Sequence, residues 1–237
     1  MSNERLIYLP LGGAGEIGMN AYVYGYGAPG RERLILVDCG VAFPDMDSTP
    51  GVDLIIADID WLAERADRLE AIFITHAHED HIGAVALCHA RLKAPIYVRR
   101  FAAMIAAMKM KEKGKDPAAV VEVGAYPEQI EAGPFSVSFL PVSHSIPQAA
   151  GLVIDTPAGR IVHTGDFKLD PTPIVGEPWD PDLWKSVGDK GVKALVCDST
   201  NVFSPQPGRS ETEIAPALKP LVANAKGMVI ATTFASN

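Results

Sequence analysis

A run of four possible metal ligands directly after a strand-like segment constrains the fold of this chain more than any other feature. The stretch "FITHAHEDHIGA" places His76, His78, Asp80 and His81 within six residues. Residues two apart in an extended backbone point to the same side, so one ion could take both His76 and His78. Asp80 and His81 begin a helix-like segment, where an acidic side chain suits the helix dipole, and could serve a second ion. Imidazole nitrogens and carboxylate oxygens suit zinc, manganese and iron.

Four ligands cannot complete two metal sites, so the remaining ligands must come from distant parts of the sequence. His144 follows the strand-like segment Phe135–Val142, and Asp166 follows the strand-like segment Arg160–Thr164. Strands that share a direction in a sheet would deliver these residues to the same edge as the cluster. Taken singly, each of the two is weak evidence for a ligand.

Two other histidines fit the cluster less well. His89 lies eight residues after His81, inside the helix-like segment, and is expected to be an ordinary surface or hydrogen-bonded residue. His163 alternates with Asp166 in the wrong phase to face the same ion. We therefore expect His163 to be a supporting or core residue.

The chain alternates between strand-like and helix-like segments, most of them bounded by glycine, proline or aspartate. The predicted strands are Arg5–Leu9, Ala21–Tyr26, Leu34–Asp38, Ala71–Thr75, Ile96–Val98, Phe135–Val142, Leu152–Thr156, Arg160–Thr164, Ala194–Asp198 and Met228–Thr233. The predicted helices are Asp58–Arg68, His81–Leu92, Arg100–Lys113, Asp182–Val187 and Glu211–Ala225. The first half shows hairpin-like strand pairs and few helices, unlike the steady βαβ alternation of a doubly wound sheet. The pattern therefore predicts two packed sheets flanked by helices.

The helix predicted over Arg100–Lys113 carries an apolar stripe. Phe101, Ile105 and Met108 recur there at helical spacing, which predicts core packing. Further along, the Pro- and Gly-rich stretch Asn201–Glu213 is the best candidate for a linker.

The composition is that of an ordinary globular protein. Of the 237 residues, 48% are hydrophobic and 21% are charged. The first residues lack the basic start and apolar stretch of a secretory signal, and no apolar run approaches the roughly 18 residues of a membrane span. Cys39, Cys88 and Cys197 are odd in number and far apart, which argues against a disulfide framework or a thiolate zinc site. We expect a cytoplasmic protein with reduced thiols and no membrane partner.

The net charge of −8 argues against broad electrostatic binding of nucleic acid. It does not exclude such binding, because metal ions and local basic clusters can reverse the field at a site. The stretch Arg91–Lys115 is a cluster of this kind, with eight cations and the single acid Glu112. A solvated helix face is the plainer explanation for it.

The segment "GGAGEIG" contains a G-x-G-x-x-G pattern at Gly13, Gly15 and Gly18. A dinucleotide site needs a helix directly after this pattern and an acidic residue about 20 positions on. Asp38 lies at that distance, but the residues that follow Gly18 read as a strand. We expect turn glycines between two strands here.

The motif H-x-H-x-D-H, followed by a lone histidine and then a lone aspartate after later strands, resembles the metallo-β-lactamase superfamily. The resemblance implies an α/β fold, an αββα sandwich, with a metal centre at one edge. It implies two sets of ligands, one for each ion: His76, His78 and His144, and Asp80, His81 and Asp166. In many members of the superfamily the aspartate that corresponds to Asp166 bridges both ions.

The resemblance narrows to the bacterial ribonuclease J family of β-CASP nucleases. The segments that carry it are "LGGAGEIGMN", "VDCGVAFPDMD", "THAHEDHIGA", "HSIPQAAGLVIDTPAGRIVHTGDFKLD", "CDSTN" and the terminal "FASN". H-x-H-x-D-H alone does not separate this family from lactamases, glyoxalases, lactonases or transfer-RNA-processing nucleases, whereas "HSIP", "HTGDFK" and "FASN" are more specific. The resemblance implies a metal-dependent ribonuclease with 5′-to-3′ exonuclease and endonuclease activity, acting in RNA maturation and decay.

The resemblance covers only the N-terminal part of a member of this family. Family members insert a β-CASP domain near this point and then return to supply one more histidine ligand. The resemblance therefore implies that residues 1–208 are the N-terminal part of a metallo-β-lactamase domain, which leaves the sandwich incomplete at its C-terminal side. Residues 209–237 would be the truncated start of a β-CASP domain. It also implies a homodimer or tetramer through regions beyond Asn237, and an inactive fragment stays an alternative.

The mechanism expected from these ligands uses two divalent ions, most simply zinc, with manganese as the alternative. About 3.5–4 Å apart, they would hold a bridging hydroxide that attacks an RNA phosphodiester in line. Asp80 and His81 are the expected catalytic residues, and Asp80 would also orient the nucleophile or accept its proton. The main competing hypothesis is a small-molecule hydrolase acting on a lactam, lactone or thioester, since the same hydroxide attacks carbonyl groups.

Two further sets of residues are predicted to support this chemistry. Candidates to fix the imidazole tautomers, with ordinary turn or strand-end hydrogen bonding as the alternative, are Asp38, Ser143, Ser145 and Asp198. Candidates to contact RNA are Arg99, Arg100, Lys109, Lys111, Lys113 and Lys168.

Overall fold

In the computed structural model, which describes residues 4–45, 47–206 and 208–232, two β-sheets stack between layers of helices. The strands are β1 (Arg5–Gly12), β2 (Ala21–Gly27), β3 (Arg33–Val37), β4 (Val41–Ala42), β5 (Ile55–Ile56), β6 (Leu69–Ile74), β7 (Ile96–Arg99), β8 (Val120–Val123), β9 (Ile130–Ala132), β10 (Phe135–Pro141), β11 (Ala150–Thr156), β12 (Gly159–His163) and β13 (Ala194–Val196). The helices are α1 (Asp60–Ala63), α2 (Glu79–Ile82), α3 (Val85–Leu92), α4 (Arg100–Glu112), α5 (Pro181–Gly188) and α6 (Ile214–Ala223). Short 3₁₀ turns occupy Ala66–Arg68, Pro117–Ala119 and Glu211–Glu213.

The first sheet has six strands in the order β1-β2-β3-β6-β7-β8. Its first three strands are antiparallel neighbours, whereas β3, β6, β7 and β8 run parallel. Parallel neighbours need a crossover, and helices α3 and α4 provide it between β6, β7 and β8. The expectation of hairpin pairs with few helices in the first half is therefore correct for β1–β3 and wrong for residues 69–123.

The second sheet has five strands in the order β13-β12-β11-β10-β9, and only its β12–β13 pair is parallel. The remaining pair, β4 with β5, forms a small antiparallel ribbon. Sequence reasoning missed β8 and β9, which are three or four residues long and too short for a clear alternation of apolar residues.

Strand β6 shows how side chains build the layers. Every second residue of a strand faces the same side. Phe73 points between the two sheets and packs against Phe139 of the second sheet. Ile72 and Ile74 point to the opposite face, in the apolar cluster that also contains Ala106 of α4. The strand is therefore buried on both faces, and the first sheet separates two apolar clusters.

The outer face of the second sheet is covered by α5. Leu140, Val153 and Val162 form a third apolar cluster there with Val187 of the helix. With α1, α3 and α4 on the outer face of the first sheet, the layers are helix, sheet, sheet and helix. This arrangement confirms the predicted αββα sandwich.

The face that helix α4 buries most deeply lies beside the predicted one. Met108 of the predicted stripe is 48% exposed, whereas Phe101 and Ile105 are partly buried and pack against the core, so the predicted core packing is confirmed for two of the three residues. The residues that face the core are Ala102, Ala103, Ala106 and Met110. Alanine lets a helix approach a sheet closely, so three alanines together with Met110 mark the most deeply buried face. At 13 residues α4 is short, and no helix in the described ranges is long and apolar enough to span a membrane.

The predicted strand Met228–Thr233 is absent over the part that the structure describes, Met228–Thr232. Met228 and Ile230 are 88% and 79% exposed, and no described strand lies beside them. An extended segment becomes a strand only when a neighbour pairs with its backbone, and no neighbour is present here. The terminal "FASN" segment lies outside the described residues.

Candidate metal centre

Three chain segments meet at one edge of the sandwich. Strand β6 ends at Ile74 and leads into the histidine cluster, β10 ends at Pro141 and leads to His144, and β12 ends at His163 and leads to Asp166. A backbone hydrogen bond from Ala150 N to Thr75 O links the two sheets at this edge. The structure therefore brings together all six residues that the sequence predicted as ligands.

Three imidazoles form the first group of this centre. The Nδ1 atom of His78 lies 3.1 Å from Nε2 of His76 and 3.0 Å from Nε2 of His144. Burial lowers the pKa of all three residues, and that of His144 falls to about 4. Each neutral imidazole keeps one nitrogen lone pair, and the three rings can turn these lone pairs toward a cation placed between them. The group therefore fits a divalent metal ion.

The second group contains His81, Asp80 and Asp166. Nε2 of His81 lies 3.3 Å from Oδ1 of Asp166 and 3.5 Å from Oδ2 of Asp80. The other oxygen of Asp166 lies 3.8 Å from Nε2 of His144, so its carboxylate stands between the two groups. His76 also lies within reach of the ligand atoms of His81 and Asp166. The set of nitrogen and oxygen donors fits divalent metal binding here too.

Asp38 holds His81 in place from behind. It is completely buried, with a left-handed φ of 64°. Its Oδ2 accepts a hydrogen bond from Nδ1 of His81 at 2.8 Å, and its Oδ1 accepts one from the backbone N of Thr75 at 2.8 Å. Burial alone would lower the pKa of His81, but the carboxylates of Asp38 and Asp166 outweigh it and raise that pKa. A donor on Nδ1 leaves Nε2 as the atom of His81 that faces the centre.

The other predicted supporting residues do not contact a ligand imidazole among the described residues. The carboxylate of Asp198 accepts hydrogen bonds from the backbone N and the Oγ1 of Thr200, at 2.9 and 2.7 Å, and so closes a turn. Ser143 Oγ is buried without a hydrogen-bond partner in the described part of the chain, and Ser145 is only partly buried. Asp38 alone among the four has the contact that was expected of them.

The two remaining histidines lie outside the ligand groups. His163 is buried beside the centre, and its Nδ1 is 2.9 Å from the hydroxyl of Tyr24. Burial lowers the pKa of His163 to about 4. His89 sits on α3, partly exposed. The structure places both as supporting or packing residues.

Sequence reasoning missed Asn20, Tyr22 and Thr75. Nδ2 of Asn20 lies 3.1 Å from Nε2 of His81 and 3.0 Å from the carbonyl oxygen of Asp80. Thr75 Oγ1 lies 3.0 Å from Nδ1 of His76. Asn20 directly precedes β2, and Tyr22 lies near the start of that strand, after the glycine pattern. His144 and Asp166 were predicted because they follow the ends of strands, a position that these two residues do not share.

A cleft of about 430 Å³ opens beside the second group. The loop with Gly13, Gly15 and Gly18 forms one wall, and all three residues have positive φ, as expected of turn glycines between two strands. The acidic residues that line the cleft are Glu16, Asp80, Asp166 and Asp198. No lysine or arginine of the described ranges joins them. The cleft is therefore electronegative unless cations occupy it.

The predicted RNA-contacting cations fall into two sets. Arg99 is buried and forms a bidentate pair with Glu177, and Lys109 and Lys168 are paired with Glu79 and Glu211. Exposed residues without a salt-bridge partner in the described part of the chain are Arg100, Lys111 and Lys113. A buried guanidinium already held by a carboxylate is not free to bind a phosphate. We therefore exclude Arg99 from the candidate RNA-contacting residues.

A polar clasp ties the loop after Asp166 to residues Ser210–Thr212. Oε2 of Glu211 accepts hydrogen bonds from the backbone N atoms of Ile174 and Val175, at 3.0 and 3.1 Å. In return, the backbone N of Glu211 donates to Oδ2 of Asp170 at 2.9 Å. The C-terminal end of the predicted linker, Asn201–Glu213, is therefore attached to the loop that follows Asp166.

Comparison with known proteins assigns the fold to one superfamily. The profile of the metallo-β-lactamase superfamily matches residues 14–204. The chain is 46% identical to ribonuclease J of Sinorhizobium meliloti and 45% identical to ribonuclease J of Corynebacterium glutamicum. These matches cover 99% and 100% of this chain but 42% and 32% of the two relatives, so the chain spans less than half of their length.

Solved structures with the same fold are more distant in sequence. A protein of unknown function from Enterococcus faecalis V583 has a TM-score of 0.56 and 19% identity, over 92% of this chain and 58% of that one. Human tRNase Z, short form, has a TM-score of 0.51 and 17% identity, over 90% of this chain and 87% of that one. These likenesses agree with the layered fold. With its layers, its clustered histidines and aspartates and a profile match over most of its length, the chain belongs to the metallo-β-lactamase superfamily.

Proposed function

We propose that this chain is the metal-binding part of a metal-dependent ribonuclease of the ribonuclease J type, with 5′-to-3′ exonuclease and endonuclease activity in RNA maturation and decay. The observation that carries the proposal is the 46% identity to a ribonuclease J over 99% of this chain. The convergence of three imidazoles with a second histidine–carboxylate group supports it, because such donor sets hold the ions that activate water for phosphodiester hydrolysis.

In this proposal the first group would hold one divalent ion and the second group another, with Asp166 shared between them. Bound ions supply an activated water molecule and neutralise charge that develops on the phosphate. Asp38 fixes the ring of His81, and the buried walls around His76 keep its imidazole neutral and available. Asp80, which is a third exposed, stands at the cleft, where it can also accept the proton of the attacking water.

Zinc is the proposed metal and manganese the alternative, since histidine and carboxylate ligands accept both. We further propose that residues 1–208 belong to the metallo-β-lactamase domain and residues 209–237 to the start of a β-CASP domain. A homodimer or tetramer would form through parts that the longer relatives contain. We also propose that the protein works in the reducing cytoplasm, where its three free cysteines would stay as thiols.

The proposed approach surface for RNA is the exposed C-terminal end of α4. Lys111 and Lys113 lie there without carboxylate partners among the described residues, and Arg100 is exposed at the first turn. Lys109 is hydrogen-bonded to Glu79, which lies between His78 and Asp80, so the helix runs beside the metal centre. Lys109 and Lys168 could meet phosphate only after exchanging their carboxylate partners.

The test is a pair of substrates offered to the full-length product of the gene, loaded with zinc or manganese. Cleavage of a 5′-monophosphorylated RNA that is lost in His76→Ala and Asp80→Ala supports the proposal, and Lys185→Ala on the distant helix α5 is the control. Hydrolysis of a chromogenic β-lactam with no RNA cleavage would instead assign the centre to small-molecule chemistry. RNA cleavage that persists in both variants would reject the assigned residues.

A further inference from the structure

Asn20 connects the start of β2 to the second group of the metal centre. Its side chain is nine-tenths buried, and its backbone N donates to the carbonyl oxygen of Asp80 at 3.0 Å. The carbonyl oxygen of Asn20 accepts a hydrogen bond from the backbone N of Gly40 at 2.9 Å. Both the N–H and the carbonyl group of Asn20 are therefore held by backbone hydrogen bonds, independently of its side chain.

The side-chain amide of Asn20 faces three atoms of the centre. Nδ2 lies 3.0 Å from the carbonyl oxygen of Asp80, 3.4 Å from its Oδ2 and 3.1 Å from Nε2 of His81. An amide nitrogen has two hydrogens to donate, and the carbonyl oxygen and the Oδ2 of Asp80 can accept one each. The amide therefore holds Asp80 and packs against the His81 ring, and both residues belong to the second group of the centre.

Tyr22 sets the orientation of that amide. Its hydroxyl donates to Oδ1 of Asn20 at 2.7 Å, which turns Nδ2 toward Asp80 and His81. The pair also requires glycine at position 13, because a Cβ atom there would lie 2.3 Å from Oδ1 of Asn20 and 2.4 Å from the hydroxyl of Tyr22.

We propose that Asn20, oriented by Tyr22, is a positioning residue for the metal ion on the His81 side of the centre. It aligns the Asp80 carboxylate and the His81 ring before the ion arrives, and so lowers the cost of ordering them on binding. The inference rests on the proposed metal centre, but it concerns a residue outside the ligand set. It predicts an effect on one ion and not on the other, because Asn20 touches neither His78 nor His144.

The test is titration of the metal-free chain with Co²⁺, followed by calorimetry and by the visible absorption of the bound ion. His144→Ala and His81→Ala identify the binding step on each side of the centre. In Asn20→Ala we expect the His81-side step to weaken about 10- to 100-fold and its absorption to change. The other step should keep its affinity within about threefold.

Tyr22→Phe tests the same role with a smaller change, because it removes only the hydroxyl that orients Asn20. Its result decides the question if Asn20→Ala does not fold. We expect Tyr22→Phe to weaken the same step about tenfold, at the lower end of the range for such supporting residues. Tyr8→Phe is the matched control, since Tyr8 stacks beside Tyr22 but does not reach Asn20.

The outcomes separate the inference from the proposed metal centre. If His81→Ala and His144→Ala leave Co²⁺ binding unchanged, the metal centre itself is wrongly assigned. If both reference variants lose binding while Asn20→Ala and Tyr22→Phe bind like the parent, the positioning role of Asn20 is wrong. Equal weakening of both steps would mark Asn20 as a general structural residue and would also overturn the inference.

Discussion

His81 is the residue whose surroundings are most completely specified. Asp38 accepts the hydrogen of its Nδ1, and the opposite nitrogen faces Asp80 and Asp166. A carboxylate behind a metal-binding imidazole fixes the tautomer and raises the basicity of the ligand. The left-handed backbone of Asp38 is the kind of conformation that persists only where the surroundings demand it.

Asp38→Asn should therefore weaken metal binding on the His81 side about 10- to 100-fold, because the amide removes the charge that supports the ring. Calorimetric titration of the metal-free protein measures this effect. Asp198→Asn is the control, since its carboxylate closes a turn with Thr200 and touches no ligand. Equal affinities in Asp38→Asn and the parent protein would show that the ring needs no anionic partner.

His163 gives the molecule an acid-sensitive residue in its interior. Its pKa falls from an ordinary value near 6.5 to about 4 in the folded chain. Between these values the unfolded chain binds the proton and the folded chain does not, so stability is lost as the pH falls from about 6.5 toward 4. At pH 5 this residue should cost about 2 kcal/mol of unfolding free energy relative to pH 7.

Urea unfolding of the parent and of His163→Gln at pH 7 and pH 5 isolates that contribution. The variant should show a pH dependence about 2 kcal/mol smaller than the parent, although it will be less stable at both values because Tyr24 loses its partner. The same difference between pH 7 and pH 5 in both proteins would contradict the assignment.

At the scale of elements, helix α4 shows where a sequence pattern misleads. Met110 is fully buried and Met108 is 48% exposed, although the predicted stripe contained Met108. Met110→Ala should lower the free energy of unfolding by about 2–5 kcal/mol, because it leaves a cavity in the core. Met108→Ala should change it by less than about 1 kcal/mol. Denaturant unfolding of the two variants compares them directly, and equal losses would restore the predicted stripe.

The ends of strands were the most predictable elements. His76, His144 and Asp166 could be assigned to one edge because each follows an apolar run, and the structure brings them together. The buried face of α4 could not be predicted, because two neighbouring faces of this helix carry apolar residues. The choice between them depends on which face lies against the sheet. Asn20 was missed for a similar reason: its role depends on Asp80, 60 positions away, and no local pattern reports that contact.

The exposed end of α4 carries the prediction for RNA binding. Lys111→Glu combined with Lys113→Glu should flatten the dependence of log K on log salt concentration by up to about 1.4, because each phosphate contact on a single strand contributes about 0.7. Fluorescence anisotropy of a labelled RNA over a series of salt concentrations measures the slope. Arg31→Glu with Lys226→Glu is the control of equal charge, and an unchanged slope in the α4 variant rejects this surface.

At the scale of the whole molecule, the layers follow from the sequence and the connections between them do not. The order of strand-like and helix-like segments predicted two packed sheets, which the two sheets and the apolar cluster between them confirm. The clasp between Glu211 and the loop after Asp166 had no signal in the sequence, because its acceptors and donors include backbone atoms of Ile174 and Val175. Such contacts depend on the path of the chain and not on residue type.

Glu211→Ala should speed hydrogen exchange at the amides of Ile174 and Val175, since it removes the acceptor that protects both. Exchange of the other amides in the fold should stay the same, with the second sheet as the internal reference. Glu213→Ala is the matched control, because Glu213 is exposed and lies outside the clasp. Unchanged exchange at Ile174 and Val175 would show that the clasp does not persist in solution.

The clasp also decides where this chain can be divided for separate expression. Composition favours a cut at the Pro- and Gly-rich stretch, and a piece ending at Gly208 looks convenient. That piece would leave Lys168, Asp170 and two backbone amides without the partners that Glu211 and its backbone provide. A cut after Thr212 keeps those partners, so the useful boundary for a stable metal-binding piece lies a few residues beyond the place that the sequence suggests.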